Sequence, residues 1–381
     1  MTGAHGYHPP RPRLGPGHLG FVAFVLLAFG GASGVLWLGR NASFWHDECD
    51  FLHHRSLAEP LSLFVPHNDH AVVIPAAAYR AVVDLFGTES YVPFLALVLV
   101  AHVATATGLL AMLAPRSIWL GLGAATLFLF FGSGAENLFW GFQITFVGST
   151  AFGVWALWAA ERDRWRLAAA MLAASVFCSL IGVAFVVAAG VIGLLDKCRG
   201  VAWVSLPLIL LAAWWMAFGL GWERPSDWAV YEYGSAIDVN SWRLVPRYIL
   251  QATFLVGSAV SGFPIALAFL LVCGALGLLL WALLRGWRPS PFQLGIGLSY
   301  LTFTTMAGIV RAASATTFVP RFIYVAALLM LLLLPTVPRT RVAVMVAGAL
   351  FAVAIASNVF ALVAAADFWT ARASGPLACE P

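Results

Sequence analysis

The sequence predicts an all-α fold, a polytopic transmembrane helical bundle of about 11 spans with interfacial helices in the first outer loop. Of its 381 residues, 61% are hydrophobic and only 10% are Asp, Glu, Lys or Arg, whereas soluble domains average about 25% charged residues. Several apolar runs reach the roughly 20 residues that a helix needs to cross a bilayer. Runs such as 92–112 and 342–366 are apolar on every face, which excludes the alternating pattern of a β-barrel.

The predicted spans lie between joints that are polar or rich in Gly and Pro. The run 21–38 is too long for the core of a signal peptide, so it is interpreted as an uncleaved first span that follows a cytoplasmic tail, 1–19. Residues 20–381 then form a single membrane domain. The stretch 167–195 is predicted to be a pair of short helices that turn near Ser179. The spans cover residues 20–38, 91–113, 118–132, 144–160, 167–179, 182–195, 201–221, 262–284, 291–310, 322–336 and 342–366.

Arginine and lysine mark every second joint between these spans. The positive-inside rule therefore places the N-terminus in the cytoplasm and the alternate loops outside. With this threading the inner side holds 12 of the 21 basic residues but only three of the 17 acidic ones. One lysine beside twenty arginines suggests a GC-rich bacterial genome, so we expect a multi-pass protein of the inner (plasma) membrane. The inner joints are only a few residues long and leave no room for a nucleotide-binding domain.

The five cysteines lack the paired spacing of a zinc site or an even disulfide framework. Structural disulfides are therefore not expected. Cys49 and Cys379, both predicted to lie outside, form the one pair that merits a test.

The first outer loop, residues 39–90, holds the densest group of polar side chains and is the predicted catalytic loop. Two short interfacial helices are predicted within it, over 51–64, where Pro60 interrupts, and over 74–86. The second has Pro75 in its first turn and ends before Gly87, which is typical of helix boundaries.

Asp47 and Glu48 directly follow the first span and are the candidate catalytic residues. Burial beside an apolar wall raises the pKa of a carboxyl group toward the working pH of a general base. The alternative is a solvated loop start in which Trp45 belongs to an interfacial belt. The neighbouring His46, a candidate substrate-binding residue, makes the cluster more polar than membrane anchoring requires, which favours a functional role.

Arginines on the outer side need a local reason, since the positive-inside rule disfavours them there. Arg311 and Arg321 bracket the outer loop 311–321, and binding of a phosphate or pyrophosphate explains them as well as snorkelling to lipid headgroups does. The same argument extends more weakly to Arg247 at the end of the outer segment 222–247.

Two more groups are candidates for binding substrate. The turn before the second interfacial helix can supply hydrogen bonds or metal ligands, although an ordinary polar turn explains it better. A further outer segment, residues 136–143, can form hydrogen bonds to hydroxyl groups. The alternative is ordinary loop polarity beside aromatic residues of an interfacial belt. No recognised spacing supports a metal site, so no cofactor is assigned and a divalent cation remains open. The candidates are His67, Asp69, His70, Glu136, Asn137 and Gln143.

These features resemble the GT-C superfamily of membrane glycosyltransferases, which use polyprenyl-phosphate-linked sugars. The resemblance covers residues 20–195 and rests on the motif Trp45-His-Asp-Glu48, the two interfacial helices after it, and the segment Glu136-Asn-Leu-Phe-Trp-Gly-Phe-Gln143. It implies that Asp47 acts as base or positions the acceptor, with Glu48 in reserve, and that Arg311 and Arg321 hold the donor phosphate. The chain lacks the large C-terminal soluble domain of many members.

The implied partners are a polyprenyl-phosphate-linked sugar, an envelope glycan, lipid or protein acceptor, and membrane lipids, with no nucleic acid. The alternative is a multi-pass transporter or lipid-carrier flippase. That alternative predicts ionisable residues near the bilayer midplane, broken spans and an inverted repeat. The short pair in 167–195 and Pro264 are its only support.

Overall fold

The computed structural model describes residues 16–68, 70–196, 200–220, 242–312, 319–335 and 340–371. This part of the chain is helical and contains no β-strand, only an isolated bridge between His67 and His70. The α-helices, in chain order, are α1 (Pro16–Gly39), α2 (Glu48–His53), α3 (Val73–Phe86), α4 (Val92–Leu113), α5 (Ile118–Leu129), α6 (Glu136–Phe139), α7 (Ile144–Ala160), α8 (Trp165–Cys178), α9 (Gly182–Leu195), α10 (Val201–Trp214), α11 (Val245–Ser261), α12 (Ile265–Leu284), α13 (Pro291–Arg311), α14 (Pro320–Leu332) and α15 (Arg341–Ala371).

Seven helices of the described chain are long and apolar enough to cross a membrane, and four more are apolar but shorter. The seven include α1, α4, α12, α13 and α15, together with α7 and α10 extended by a 3₁₀ turn and a π turn. Each of the eleven predicted spans coincides with one of these eleven helices. The helices are therefore consistent with a multi-pass membrane protein. Eleven complete crossings are not confirmed, because α5, α8, α9 and α14 have only 12 to 14 residues.

The bundle is unevenly packed. Of the most apolar stretch of 18 residues in each helix, 78% is buried inside the protein in α7 with its preceding turn, against 6% in α12 and 17% in α15. The exposed faces of α12 and α15 consist of residues such as Leu278 and Phe360, which suit a hydrocarbon environment. Buried helices and lipid-exposed helices are thus both present, as in a membrane bundle.

The two ends of the bundle carry different charges. At one end, Arg116 donates to the carbonyl of Leu332 and Arg166 lies over the ring of Trp203, so the predicted basic joints lie together. At the other end, which we call the polar end, the first outer loop meets the segment 131–143, the facing ends of α13 and α14, and the last turn of α15. This separation agrees with the predicted alternation of the joints.

A small aromatic core attaches the first outer loop to the top of α4. Phe44, Phe51 and Tyr79 pack around Phe94, which is fully buried, with ring centroids 4.5 to 6.5 Å apart along the chain of contacts. Such contacts hold a loop that has little regular structure in a fixed position.

Several predicted elements differ from the observed ones. The helix predicted over 51–64 is instead α2 followed by a 3₁₀ helix (Pro60–Phe64), because residues 54–59 turn back on themselves. The helix predicted over 74–86 is confirmed as α3, which ends at Gly87 with φ 70°. The stretch 167–195 forms two helices, α8 and α9, as predicted. Helix α11 was not predicted; it is amphipathic, with apolar residues on one face and polar residues on the other.

The expectation of no structural disulfide is wrong for Cys49, which is disulfide-bonded. Its proposed partner, Cys379, lies outside the described residues. Two other cysteines, Cys178 and Cys273, are free thiols.

Candidate functional site

Asp47 lies just beyond α1, immediately before α2, and its carboxylate is held by two histidines. Its Oδ1 is 2.9 Å from Nδ1 of His46 and 3.4 Å from Nε2 of His67. His46 has φ 57°, a left-handed conformation that is uncommon outside glycine. Both of these closest contacts fall on Oδ1, and Oδ2 accepts no hydrogen bond within the described part of the chain. The side chain is 15% exposed and can be reached by a ligand.

His67 joins Asp47 to a second buried carboxylate. Its Nδ1 is 2.9 Å from Oδ2 of Asp50, and the same Oδ2 accepts hydrogen bonds from Nη2 and Nε of Arg55 at 2.6 and 3.0 Å. Arg55 is 3% exposed. We call the group formed by His46, Asp47, Asp50, Arg55 and His67 the Asp47 network.

Arg55 also determines the path of the loop. Its guanidinium donates to the carbonyl oxygens of Ser62, Val65 and Pro66. One guanidinium thereby ties three carbonyls of the turn together. The chain consequently folds back so that His67 meets the two aspartates.

Electrostatic coupling within the Asp47 network shifts the pKa of each member. Burial alone would raise the pKa of Asp47, but hydrogen bonds from His46 and His67 hold it well below the ordinary value. The pKa of Asp50 is likewise lowered, against the effect of burial, by His67 and Arg55. Burial would lower the pKa of His67, yet the two aspartates raise it to about 9. His67 is therefore an imidazolium at neutral pH.

Glu48 is adjacent to Asp47 in sequence but points into a closed cage. It is fully buried, and its Oε1 accepts hydrogen bonds from the hydroxyls of Tyr79 and Tyr91 at 2.8 and 2.7 Å. Its Oε2 accepts from the backbone N–H of Trp45 at 2.9 Å. The Tyr91 hydroxyl in turn accepts from the N–H of Gly141. We call these five residues the Glu48 cage.

Burial raises the pKa of Glu48 to about 7, although its hydrogen-bond donors oppose the shift. The prediction that burial raises the pKa of the loop carboxylates is therefore correct for Glu48 and wrong for Asp47. The physical reason is that neutral hydroxyls surround Glu48, whereas an imidazolium contacts Asp47. Glu48 is enclosed, and only Asp47 has an open oxygen.

The arginines predicted to bind phosphate lie at the polar end, close to the Asp47 network. Arg321, in the first turn of α14, pairs with Glu136 through Nη1 and Oε1 at 3.3 Å. His70 lies within electrostatic range of Arg321, Arg311 and Asp47 at once. Burial and the nearby cations lower the pKa of His70 to about 4, so its imidazole is neutral at neutral pH. The late arginines and the early aspartate therefore lie at the same end of the bundle, around His70.

A buried amide pair lies in the segment that carries Glu136. Asn137 Nδ2 donates to Gln143 Oε1 at 3.3 Å, and both side chains are fully buried. Oδ1 of Asn137 and Nε2 of Gln143 have no hydrogen-bond partner among the described residues. One acceptor and one donor are therefore available to a water molecule or a hydroxyl group.

Two predicted site residues are not joined to these groups. Arg247 is exposed in the first turn of α11 and forms no ion pair within the described chain. Asp69 lies outside the described residues. The open question of a divalent cation gains no support from the described residues, in which no three His, Cys, Asp or Glu side chains form a group that could hold a metal.

The sequence analysis missed several residues that build the site. Asp50 and Arg55 belong to the predicted catalytic loop but were assigned no role, and Tyr79 and Tyr91 were not considered. The available signal for Tyr79 was its hydroxyl group, because a buried tyrosine hydroxyl usually needs a hydrogen-bond partner. Trp369, in the last turn of α15, packs against Trp45 and Trp140 with centroids about 6 Å away, and no local pattern indicates this contact.

An apolar groove of about 440 Å³ extends from the polar end along α4, α7 and α8. Pro75 and Ala78 of α3 line it at the polar end, and Trp155, Trp158 and Leu167 line it near the opposite end. Its shape and lining suit a single hydrocarbon chain.

The polar end therefore combines three chemical capabilities. A fixed carboxylate with one open oxygen can accept a proton from a hydroxyl group. Guanidinium groups bind phosphate oxygens, and an apolar groove starts from the same end. No protein-family model, curated protein or solved structure matches this chain.

Proposed function

We propose that this chain is a GT-C-like membrane glycosyltransferase that moves a sugar from a polyprenyl-phosphate donor to a cell-envelope glycan, lipid or protein acceptor. The observation that carries the proposal is that Asp47, Arg311 and Arg321 all lie at the polar end, within electrostatic range of one histidine. A carboxylate from the start of the chain and two guanidinium groups from its last third act on the same histidine, His70. A base and a phosphate-binding pair are the two parts that such a reaction requires.

In the proposed step, an acceptor hydroxyl attacks the anomeric carbon of the donor sugar. The new bond joins the acceptor oxygen to the anomeric carbon, and the hydroxyl proton passes to Oδ2 of Asp47. The bond from the anomeric carbon to the phosphate oxygen breaks, and its electron pair leaves with the polyprenyl phosphate. Arg311 and Arg321 stabilise the charge that develops on that phosphate.

The lipid-linked donor follows from the orientation that we propose. The positive-inside rule puts the basic joints in the cytoplasm and the polar end outside. Nucleotide sugars do not reach that side, so an activated sugar must arrive on a lipid carrier. The apolar groove of about 440 Å³ that starts at Pro75 and Ala78 begins five residues after His70 and is available to an isoprenoid chain.

A transporter or flippase is less well supported. Within the described apolar helices, the carboxylates, lysines and arginines lie only near the ends. The mid-helix His102 is buried and hydrogen-bonded to the hydroxyl of Tyr324 and the carbonyl of Leu129. It is therefore a structural contact rather than a relay in a transport pathway.

The proposal is tested by deleting the gene in the source bacterium and complementing it with wild type or Asp47→Asn. We expect the deletion to remove one sugar from an envelope glycan or glycolipid, detected by mass spectrometry, and to raise the amount of polyprenyl-phosphate-linked sugar. Asp47→Asn keeps the shape of the side chain but cannot accept the proton. Transfer should fall by roughly 100-fold or more.

The matched control is Asp84→Asn on α3, a carboxylate that is half exposed and paired only with Arg80. This control should restore the glycan fully. Full activity of a folded Asp47→Asn variant would contradict the assignment of Asp47. Periodate, which does not cross the membrane, separates the rival function: a missing flippase leaves the accumulated sugar protected inside, whereas a missing transferase leaves it oxidisable outside.

A further inference from the structure

We propose that His67 is a positioning residue: an imidazolium, anchored by Asp50 and Arg55, that fixes Asp47 through Oδ1 and leaves Oδ2 to face the acceptor hydroxyl. The catalytic consequence rests on the proposed glycosyl transfer. The protonation and anchoring of His67 do not, and they can be measured separately.

Each nitrogen of the ring faces a carboxylate oxygen, which favours a proton on both. Nδ1 is 2.9 Å from a carboxylate oxygen of Asp50, and Nε2 is 3.4 Å from one of Asp47. Ionised carboxylates only accept hydrogen bonds, so a neutral ring would turn a lone pair toward one of them. Nδ2 of Asn68 also lies 3.0 Å from Nε2. A half-turn of that amide presents Oδ1 to the imidazolium.

The anchor of His67 is stronger than the contact it makes with Asp47. Asp50 receives the short Nδ1 bond and two bonds from the buried guanidinium of Arg55, which itself binds three loop carbonyls. The ring of His67 packs 5.0 Å from that of Phe142 and 5.8 Å from that of Phe51. Both the plane and the position of the imidazolium are therefore fixed before any substrate arrives, which is the condition for precise orientation of Asp47.

The charge balance around His67 favours its protonated form. Two carboxylates contact the ring directly. Arg55 is paired with Asp50, and Arg311 and Arg321 act on the neighbouring His70. The charged and titratable groups that surround it, from the first outer loop and from α13 and α14, are His46, Asp47, Asp50, His54, Arg55, His70, Arg311 and Arg321.

This arrangement predicts a specific dependence on pH. The pKa of His67 is raised from 6.5 to about 9, so its stabilising contribution is fully present below pH 6.5 and is lost as the pH rises through 9. Above that pH, the charge that attracts the Asp47 carboxylate is lost, and transfer should decline. At acid pH, His67 keeps Asp47 ionised, so the acid limb of the profile should lie well below the ordinary pKa of an aspartate.

The test compares His67→Gln, Asp50→Asn and the control His53→Gln, an exposed histidine of α2, with wild type. Rates of transfer from a synthetic polyprenyl-phosphate sugar are measured from pH 5 to 10. For His67→Gln we expect kcat to fall roughly 10- to 100-fold with little change in KM. Its alkaline limb should disappear, because position 67 no longer carries a group that titrates near pH 9. His53→Gln should match wild type.

Asp50→Asn removes one of the two carboxylates that stabilise the imidazolium, so its alkaline limb should move to lower pH. This variant keeps the histidine and therefore preserves the test if His67→Gln does not fold. A merely structural role of His67 would lower the yield of folded protein without moving either limb.

A second readout does not depend on transfer. The ¹⁵N resonances of ¹⁵N-histidine-labelled protein in nanodiscs, assigned to His67 by comparison with His67→Gln, should report an imidazolium up to about pH 9 in wild type and up to a lower pH in Asp50→Asn. A neutral His67 at pH 7, or a His67→Gln profile with both limbs unchanged, would overturn the proposal. An imidazolium in a chain without transferase activity would refute the proposed function and support the anchored network.

Discussion

The Asp47 network and the Glu48 cage lie side by side on the first outer loop, yet they hold their carboxylates by opposite means. Cationic and ionisable groups surround Asp47, lower its pKa and leave one oxygen open. Neutral hydroxyls and a backbone N–H surround Glu48, whose pKa is raised to about 7. Two adjacent residues of the same chemical type thus have different roles: Asp47 is available to a substrate, and Glu48 holds the loop to α3 and α4.

This difference teaches that burial alone does not identify a catalytic carboxylate. Glu48, the more deeply buried carboxylate, has the pKa that suits a general base near neutral pH. Its hydrogen-bond partners, however, enclose it, so a substrate cannot reach it. Asp47, the carboxylate with the lower pKa, has the open oxygen that a substrate can reach. In the proposed reaction Asp47 therefore contributes mainly by orienting the acceptor hydroxyl, and it takes up the proton late, as the bond to the anomeric carbon forms.

The largest effect on stability is expected for Glu48→Ala. The substitution leaves the hydroxyls of Tyr79 and Tyr91 and the N–H of Trp45 without their acceptor inside a closed site. Each unsatisfied donor costs about 1–3 kcal/mol, so unfolding in detergent should require about 4 kcal/mol less free energy than in wild type.

Glu89→Ala is the matched control for this substitution, because Glu89 is exposed in the same loop and should change the unfolding free energy by less than about 0.5 kcal/mol. Equal stability of the two variants would show that the Glu48 cage does not hold the loop.

A smaller effect distinguishes the two carboxylates by pH. Because the pKa of Glu48 rises from 4.5 to about 7 on folding, its contribution is fully present below pH 4.5 and is lost as the pH rises through 7. Glu48→Gln mimics the protonated form at every pH. The variant should therefore gain about 3 kcal/mol relative to wild type between pH 4.5 and 7.

The pH titration is read as the difference in unfolding free energy between Glu48→Gln and wild type. Protonation of Asp47 and Asp50, which weakens both proteins as the pH falls, cancels in this difference. A difference that stays constant from pH 4 to 8 would be inconsistent with a buried carboxyl group at position 48.

Much of the fold could be predicted from composition alone. In a membrane, an apolar run must form a helix because no other segment satisfies its own backbone hydrogen bonds, and every predicted span is a helix. Pro75 and Gly87 determined α3 for equally local reasons. The amphipathic α11 was missed because Arg247 and Gln251 interrupt its apolar pattern, and the helix needs its neighbours α13 and α14 to bury one face.

The site could be predicted only in part. The motif indicated Asp47 and Glu48 together, but which of the two faces substrate depends on the rotation of one short helix, and no local pattern fixes that rotation. The partners of Glu48 lie 31 and 43 residues away. Arg321 and its partner Glu136 are separated by 185 residues, so only the shared side of the membrane could be inferred for them.

The smallest of the three effects is expected for Gly141→Ala, which tests how closely the Glu48 cage is packed. A Cβ at this position would lie 2.7 Å from Oε1 of Glu48 and 3.0 Å from the hydroxyl of Tyr91. Neither atom can move freely, because the two are hydrogen-bonded to each other. We expect a loss of about 2 kcal/mol in unfolding free energy, whereas Gly274→Ala, on an exposed face of α12 with no atom within 4 Å, should be neutral or slightly stabilising. If both variants behave alike, the carboxylate of Glu48 has room to move, and the contrast with the open oxygen of Asp47 is weaker than the distances indicate.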